Sequence, residues 1–367
     1  MGKLTVRLGI QQRVLPSYRV PFFDCLAEEF IAGLGIFAGA ARRDEALGMG
    51  AAPQKAQFTR GQNIHTFKGH FYLCWQLGLL TWLRRFQPQV LIMEANPRYP
   101  FSYFAQRWMR EREKPLIGWG LGSPYPTGSL ADQRLRRWFV KRFDALITYS
   151  QLGAQEYTNI GFPAEKIFVA PNAVAPKPVN PAPARPPKFR FDRPFVLYVG
   201  RLQPRKRVED LIKACPLLPE ELRPQLWIVG DGPYRYALEE LATGVYPETR
   251  FCGAMHDKEL EDAFAQADLF VLPGTGGLAV QQAMSFALPV VVGEADGTQS
   301  ELVRAENGWR VPGGDVRALA DTLKDALADV VRLRQKGLAS YRIVKEEVNL
   351  ENMVAAFNQA VRSVWRG

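Results

Sequence analysis

Arg201 and Lys206 stand five residues apart behind a glycine, in the stretch Phe195 to Lys206 that reads FVLYVGRLQPRK. A guanidinium and an ammonium group so spaced suit a diphosphate, because each charge-assisted hydrogen bond to phosphate contributes roughly 1.5–3 kcal/mol. The same residues, extended to RLQPRKR, equally suit a solvated charge cluster, and the stretch alone does not choose between the two. Phe195 to Val199 is short, apolar and rich in β-branched and aromatic residues, which predicts a central strand. Gly200 lets the chain turn sharply at the carboxyl end of that strand, where open α/β sheets bind ligands, and a helix is expected to begin near Val208.

The remainder of the C-terminal half repeats the pattern of strand followed by glycine. Leu226 to Val229 precedes Gly230, Asp231, Gly232 and Pro233, and Leu269 to Leu272 precedes Pro273, Gly274, Thr275, Gly276 and Gly277. Leu278 to Phe286 then reads as a helix without internal Pro or Gly, so its free N–H groups and positive dipole end would face any anion held at the turn. Leu288 to Val292 supplies the next strand. For Gly230 and Gly232, a plain tight turn explains the residue type as well as ligand contact does.

In their order, VLYVGRLQPRKRVEDLIKA, LWIVGDGP, RFCGAMHDKELEDAFAQADLFVLPG, GGLAVQQAMSFALPVVVGEADGTQSELV and ENGWRVPGGDVRALADTL resemble the C-terminal domain of retaining glycosyltransferases of family 4. The resemblance covers residues 195–325 and implies an α/β chain of GT-B fold: two facing Rossmann-like domains with parallel sheets and a C-terminal crossover helix. It implies that Arg201 and Lys206 hold the diphosphate of a nucleotide-sugar donor and stabilise the charge that develops on it. The implied donor-binding set also includes Gly200, Cys252, Met255, Gly274, Thr275, Gly276, Gly277, Leu278 and Gln282. Within it the main chain around Cys252 to Met255 lies against the nucleobase, and the Gly276–Gly277 turn cradles the phosphates. The family pattern carries two glutamates spaced E-x7-E, and here Gly274 and Gln282 stand in their places. An amide still donates and accepts hydrogen bonds, so Gln282 can keep a ribose contact, whereas Gly274 offers only its backbone. Retention implies front-side attack by an acceptor hydroxyl, the leaving phosphate oxygen taking the proton. A non-catalytic nucleotide-binding or scaffold protein of the same fold is the alternative that the two missing glutamates leave open.

The chain's 367 residues, 47% hydrophobic and 23% charged, fit two globular domains. Residues 1–175 are expected to form an N-terminal Rossmann-like domain on the acceptor side, to which the resemblance adds a crossover helix at 349–367. Residues 191–348 would form the nucleotide-sugar domain. Between them Pro176 to Pro187, PKPVNPAPARPP, predicts an extended, semi-rigid linker. In the N-terminal half, strands are expected at Leu4 to Ile10, Val90 to Met93, Leu116 to Trp119, Ala145 to Tyr149 and Phe168 to Ala170. The first feeds a loop without glycine, QQRVLPSYRVPFF. That loop either offers Arg13, Tyr18 and Arg19 to an acidic or polyhydroxylated acceptor or simply packs Phe22 and Phe23 onto the sheet. The strand-end segments 94–99 and 118–122 add Arg98 and Trp119 to the acceptor-side set.

Other chemistries find little support. Three histidines, His65, His70 and His256, are too scattered for a triad or zinc set, and the cysteines at 25, 74, 215 and 252 lack paired spacing, as in a reducing compartment. With no D-x-D pair, a metal-independent reaction without a cofactor is expected, the nucleotide sugar being a co-substrate. The net charge of +10 invites an anionic partner, and base-specific nucleic-acid binding lacks a motif. RLRRWFVKRF at 134–143 and YFAQRWMRER at 103–112 mix cations with aromatics in the manner of interfacial helices, and 71–85 is apolar around Trp75 and Trp82, although such aromatic stripes more often belong simply to the core. No segment reaches the ~20 apolar residues that a spanning helix needs, and no signal peptide is visible at the start. The expectation is a cytoplasmic enzyme, peripheral at the inner face of a membrane, acting on a glycan or lipid-linked acceptor.

Overall fold

The computed structural model describes residues 2–42, 45, 52–67, 69, 72–122, 130–190, 192–294 and 298–366. His70 lies outside the described residues. The chain divides into two compact units, Met1–Val174 with Leu350–Gly367, and Ala175–Asn349.

The first unit is built on strands β1 (Leu8–Val14), β2 (Leu34–Gly39), β3 (Gln57–Arg60), β4 (Gln62–Thr66), β5 (Leu73–Leu77), β6 (Val90–Glu94), β7 (Leu116–Gly120), β8 (Ala145–Thr148) and β9 (Ile167–Val169). Seven of them form one parallel sheet in the order β3-β2-β1-β6-β7-β8-β9, while β4 and β5 pair as an antiparallel hairpin. Helices α1 (Val20–Ala27), α2 (Leu79–Phe86), α3 (Pro100–Arg110), α4 (Leu130–Val140) and α5 (Gln151–Asn159) connect the strands. The direction of travel reverses between β1 and β6, which makes the mouth of those two strands the switch point where such sheets accept ligands. The C-terminal helix, Leu350–Val364, packs against α1, β8 and β9, with Phe357 4.9 Å from Phe22 and 4.8 Å from Trp119 between ring centroids.

Two expectations need correction here. The first strand is not Leu4 to Ile10 but Leu8–Val14, so Gln11 and Gln12 belong to the strand and not to a loop. Their side chains are buried because a partner amide comes from the hairpin: Gln11 pairs with Gln76, and Gln76 Nε2 donates to the carbonyl of Gln12 at 3.0 Å. The apolar stretch 71–85 is not one interfacial segment, since β5 and α2 divide it and Gly78, at φ 93°, makes the break. Trp82 is buried in the core beneath the sheet.

The second unit holds one parallel sheet in the order β12-β11-β10-β13-β14-β15, made of β10 (Phe195–Val199), β11 (Gln225–Val229), β12 (Arg250–Gly253), β13 (Leu269–Leu272), β14 (Val290–Gly293) and β15 (Gly308–Val311). Helices α6 (Val208–Ala214), α7 (Arg235–Val245), α8 (Asp257–Gln266), α9 (Leu278–Ser285), α10 (Thr298–Leu302), α11 (Val316–Ala328) and α12 (Val330–Glu346) complete it. Its switch point falls between β10 and β13, the strands that Gly200 and Pro273 follow. Pro176 to Pro187 forms neither helix nor strand and is pinned to this unit. The Arg185 guanidinium donates to the carbonyls of Phe264 at 3.0 Å and Phe286 at 2.7 Å, and Tyr341 donates its hydroxyl to Asn180 at 2.5 Å.

Candidate active site

At the β10–β13 switch point two charges of the basic stretch, Arg205 and Lys206, are tied to the glycine turn. Lys206 Nζ donates to the carbonyl of Thr275 at 2.5 Å, Arg205 Nη1 donates to the Thr275 hydroxyl at 2.8 Å, and the Thr275 N–H donates back to the Arg205 carbonyl at 3.1 Å. Arg207 stands apart, in the left-handed region at φ 55°, and pairs with Asp210 in the first turn of α6 at 2.6 Å. Arg201 is half-buried and its carbonyl accepts the Tyr198 hydroxyl at 3.3 Å. Two cations and the opening turn of α9 therefore share one small region, in which the helix dipole favours negative charge.

Glycine is required here by close approach. A Cβ on Gly274 would lie 2.4 Å from the Arg205 carbonyl oxygen and 2.6 Å from that of Lys206, and one on Gly276, at φ 135°, would lie 2.5 Å from Lys206 Nζ. The same holds next door, where a Cβ on Gly230 would fall 2.0 Å from the Gly200 carbonyl and one on Gly232 2.3 Å from that of Leu202. Tight packing of turn on turn thus accounts for Gly230 and Gly232. Gly230 N–H donates to the Gly253 carbonyl at 2.7 Å, which lines up the end of β12, with half-buried Cys252 and Met255, beside the Gly200 turn. Gln282 lies half-buried in the second turn of α9, whereas its neighbour Gln281 is buried and donates to the Val348 carbonyl at 2.7 Å. Leu278 and Gly277 open the helix, half-buried.

In the first unit, all five residues expected on the acceptor side line a single cavity of about 1320 Å³ at the β1–β6 switch point: Arg13, Tyr18, Arg19, Arg98 and Trp119. Of the glycine-free stretch, α1 turns Phe22 and Phe23 into the core, while Arg13, Tyr18 and Arg19 line the cavity. Trp119 is only 2% exposed and serves the wall as a support. Its ring lies 4.7 Å from the Arg19 guanidinium, which also stands 5.2 Å from the Tyr149 ring and donates to the Tyr149 hydroxyl at 2.9 Å. Burial pushes that hydroxyl up to about 12, so it is neutral and accepts from Arg19. Arg19 Nη1 is buried and has no hydrogen-bond partner among the described residues.

The sequence reading missed the acid in this cavity. Glu94, the last residue of β6, accepts from the Arg13 N–H at 2.6 Å, and its own N–H donates to Gln11 Oε1 at 3.0 Å. Burial holds its carboxyl above the usual range, with the Arg13 N–H and the Tyr99 hydroxyl pulling the other way. Its position at the end of an apolar strand, as the first residue of the segment 94–99 already singled out, was the available signal.

Residues 193–329 match the family model for glycosyl transferases group 1, and residues 42–177 match that for glycosyltransferase family 4. The chain belongs to the family 4 glycosyltransferases. Among curated family members, a GDP-mannose-dependent monoacylated alpha-(1-6)-phosphatidylinositol monomannoside mannosyltransferase of Corynebacterium glutamicum is 33% identical over 171 residues, 44% of this chain and 45% of that one. A sulfoquinovosyl transferase of Arabidopsis thaliana is 36% identical over 144 residues, 38% of this chain and 27% of that one. These matches thus cover less than half of either relative. In fold the chain is similar to Anabaena HepE in complex with UDP, with a TM-score of 0.73 at 17% identity over 98% of this chain and all of that one. A glycosyltransferase of Rickettsia africae gives a TM-score of 0.73 at 12% identity over 99% of this chain and 100% of that one. The GT-B architecture is thereby shown, as two Rossmann-like units with parallel sheets.

Proposed function

We propose that this chain moves a sugar from a nucleotide-diphosphate donor to a glycan or lipid-linked acceptor, with retention of configuration and without a metal or cofactor. The observation that carries the reading is the pairing of Lys206 with the Thr275 carbonyl at the start of α9, which parks a cation beside a helix end suited to an anion. Breaking the bond between the anomeric carbon and the phosphate oxygen loads charge onto the β-phosphate while the sugar becomes oxocarbenium-like. Arg201 and Lys206 stabilise that charge, Lys206 exchanging the Thr275 carbonyl for a phosphate oxygen. The acceptor hydroxyl attacks from the same face and gives its proton to the departing oxygen. Nucleotide contact falls to Gly200, the main chain around Cys252 and Met255, Gly277, Leu278 and Gln282. The acceptor occupies the cavity of Arg13, Glu94, Arg98 and Arg19.

A non-catalytic reading rests on Gly274 and Gln282, which replace both glutamates of the family pattern. Thermal unfolding with UDP, GDP, ADP or CMP and their sugar conjugates, alongside Lys206→Ala, tests the binding step. A ligand at a hundred times its dissociation constant adds about 2.7 kcal/mol, and the variant is expected to lose that gain. Turnover of the stabilising donor then separates enzyme from a nucleotide-binding scaffold, and no gain with any nucleotide would overturn the donor reading and favour a scaffold that binds none. The proposed location is cytoplasmic and peripheral, against an anionic membrane; among the described residues no helix is long and apolar enough to cross one.

A further inference from the structure

The outward side of α3 and α4 carries large aromatic side chains that the fold leaves uncovered. Phe104 is 54% exposed and Trp138 47%, and between them runs a groove of about 590 Å³ walled by Arg107, Arg110 and Arg142, with Glu111 as its one carboxylate among the described residues. Tyr103 stacks on Trp138 with ring centroids 5.8 Å apart, and the Arg142 guanidinium lies 3.6 Å from the centre of the indole, so the indole is braced in an exposed position. Glu111 is engaged by Arg107 at 2.6 Å, leaving the groove with an excess of positive charge. Arg134, Arg137 and Lys141 continue the exposed basic face along α4 and just past its end.

The same helix borders the acceptor-side cavity. Leu135 and Arg136 of α4 line that cavity, whose rim also carries Phe67, 70% exposed, and Leu121, 57% exposed. The cavity is thus polar inside, at Arg13 and Glu94, and its edge sets exposed apolar side chains among Arg98, Gln133 and Arg136. A soluble sugar needs no such edge; an acceptor that hangs from a hydrocarbon chain does. Exposed aromatics interleaved with arginines match a lipid headgroup layer, in which rings sit at the acyl boundary and guanidinium groups meet phosphates.

We propose that the α3–α4 face rests on an anionic lipid surface, with Trp138 and Phe104 inserted and Arg107, Arg110 and Arg142 on phosphates, and that the cavity rim opens to the same layer. This deepens the proposed peripheral location, on which it rests, by naming the face that docks, and its last clause rests also on the acceptor being lipid-linked. The test is sedimentation of the full-length protein with vesicles of phosphatidylglycerol and phosphatidylcholine in equal parts, against vesicles of phosphatidylcholine alone. Wild type is expected to pellet with the anionic vesicles at low salt and to be released as salt rises. Trp138→Ala with Phe104→Ala should weaken this binding, and Arg107→Gln with Arg142→Gln should weaken it roughly fivefold for each charge removed. The nucleotide-dependent gain in thermal stability should stay intact in both double variants, which keeps a failure here distinct from a failure of the donor reading and reports that the variants fold. Wild type that remains in the supernatant at low salt, or variants that pellet as wild type does, would overturn the proposal. So would a wild-type dimer in gel filtration that Trp138→Ala with Phe104→Ala converts to monomer, since the face would then belong to a second copy of the chain.

Discussion

A Cβ on Gly274 would lie 2.4 Å from the carbonyl oxygen of Arg205, so the turn after β13 and the loop after β10 touch backbone to backbone where the family pattern has a glutamate. Restoring that glutamate therefore does not restore the pattern. Gly274→Glu must push the 205–206 main chain away and with it the Lys206 ammonium. Overpacking of this kind costs about 1–3 kcal/mol. The variant is expected to unfold at lower urea concentration and to bind a nucleoside diphosphate more weakly than wild type. A variant as stable as wild type with a raised turnover would show that the loop is free to yield.

Lys206→Ala isolates the charge. The bond to the Thr275 carbonyl that it removes is a half-exposed one, so folding stability should change by no more than ~1.5 kcal/mol. Diphosphate affinity should fall by far more in relative terms, by about 1.5–3 kcal/mol, or roughly ten- to hundredfold. Calorimetric titration of both proteins with the stabilising nucleotide reads this directly. Equal affinities would remove Lys206 from the site.

Much of the second unit was legible because its signals are local. Phe195 to Val199 and Leu269 to Leu272 are apolar runs closed by glycine and proline, and the structure gives β10 and β13 those same bounds. The first unit hid its β1 because Gln11 and Gln12 look like a polar loop until a hairpin more than sixty residues away satisfies them. No window of sequence contains that partner. Strands β2 and β3 were missed too: β3 is polar and lies at the sheet edge, and β2 pairs with it in a register fixed only by the fold. In the site, the cations and the glycine turn could be read from spacing. The tie from Arg205 to Thr275 joins residues seventy positions apart and needed the sheet order.

Arg19 is a cation buried with rings and a hydroxyl for company and with one nitrogen unpartnered among the described residues. Arg19→Met keeps the length and removes the unsatisfied donor. Removing that donor gains about 1–3 kcal/mol, which is set against the cation–π attraction to Trp119 and Tyr149, about 0.5–2 kcal/mol, and the bond to the Tyr149 hydroxyl, about 0.5–1.5 kcal/mol, that methionine cannot supply. Arg19→Lys keeps the charge, but an ammonium lacks the planar fork that stacks on Trp119. The two sides nearly cancel, so the expected order of stability in urea is methionine close to wild type and lysine below both. Lysine as the mildest change would show that charge, not stacking, holds the position.

Glu94 supplies a pH dependence with a definite sign. Burial raises its carboxyl above the ordinary value of 4.5, against the opposing pull of the Arg13 N–H, the Tyr99 hydroxyl and the charges of Arg13 and Arg19. Below 4.5 the group is protonated in both the folded and the unfolded chain, and its contribution to stability is fully present. As pH climbs past that value the unfolded chain ionises first and the folded state loses ground, until the buried carboxyl ionises as well. Glu94→Gln keeps an acceptor for the Arg13 N–H and cannot ionise. Urea unfolding of the first unit between pH 4 and pH 8 should therefore show wild type losing stability relative to the variant as pH rises, with the two nearest at the acid end. Parallel curves would mean that the folded carboxyl titrates like an exposed one, and the cavity would then be too wet to hold a neutral acid against a sugar hydroxyl.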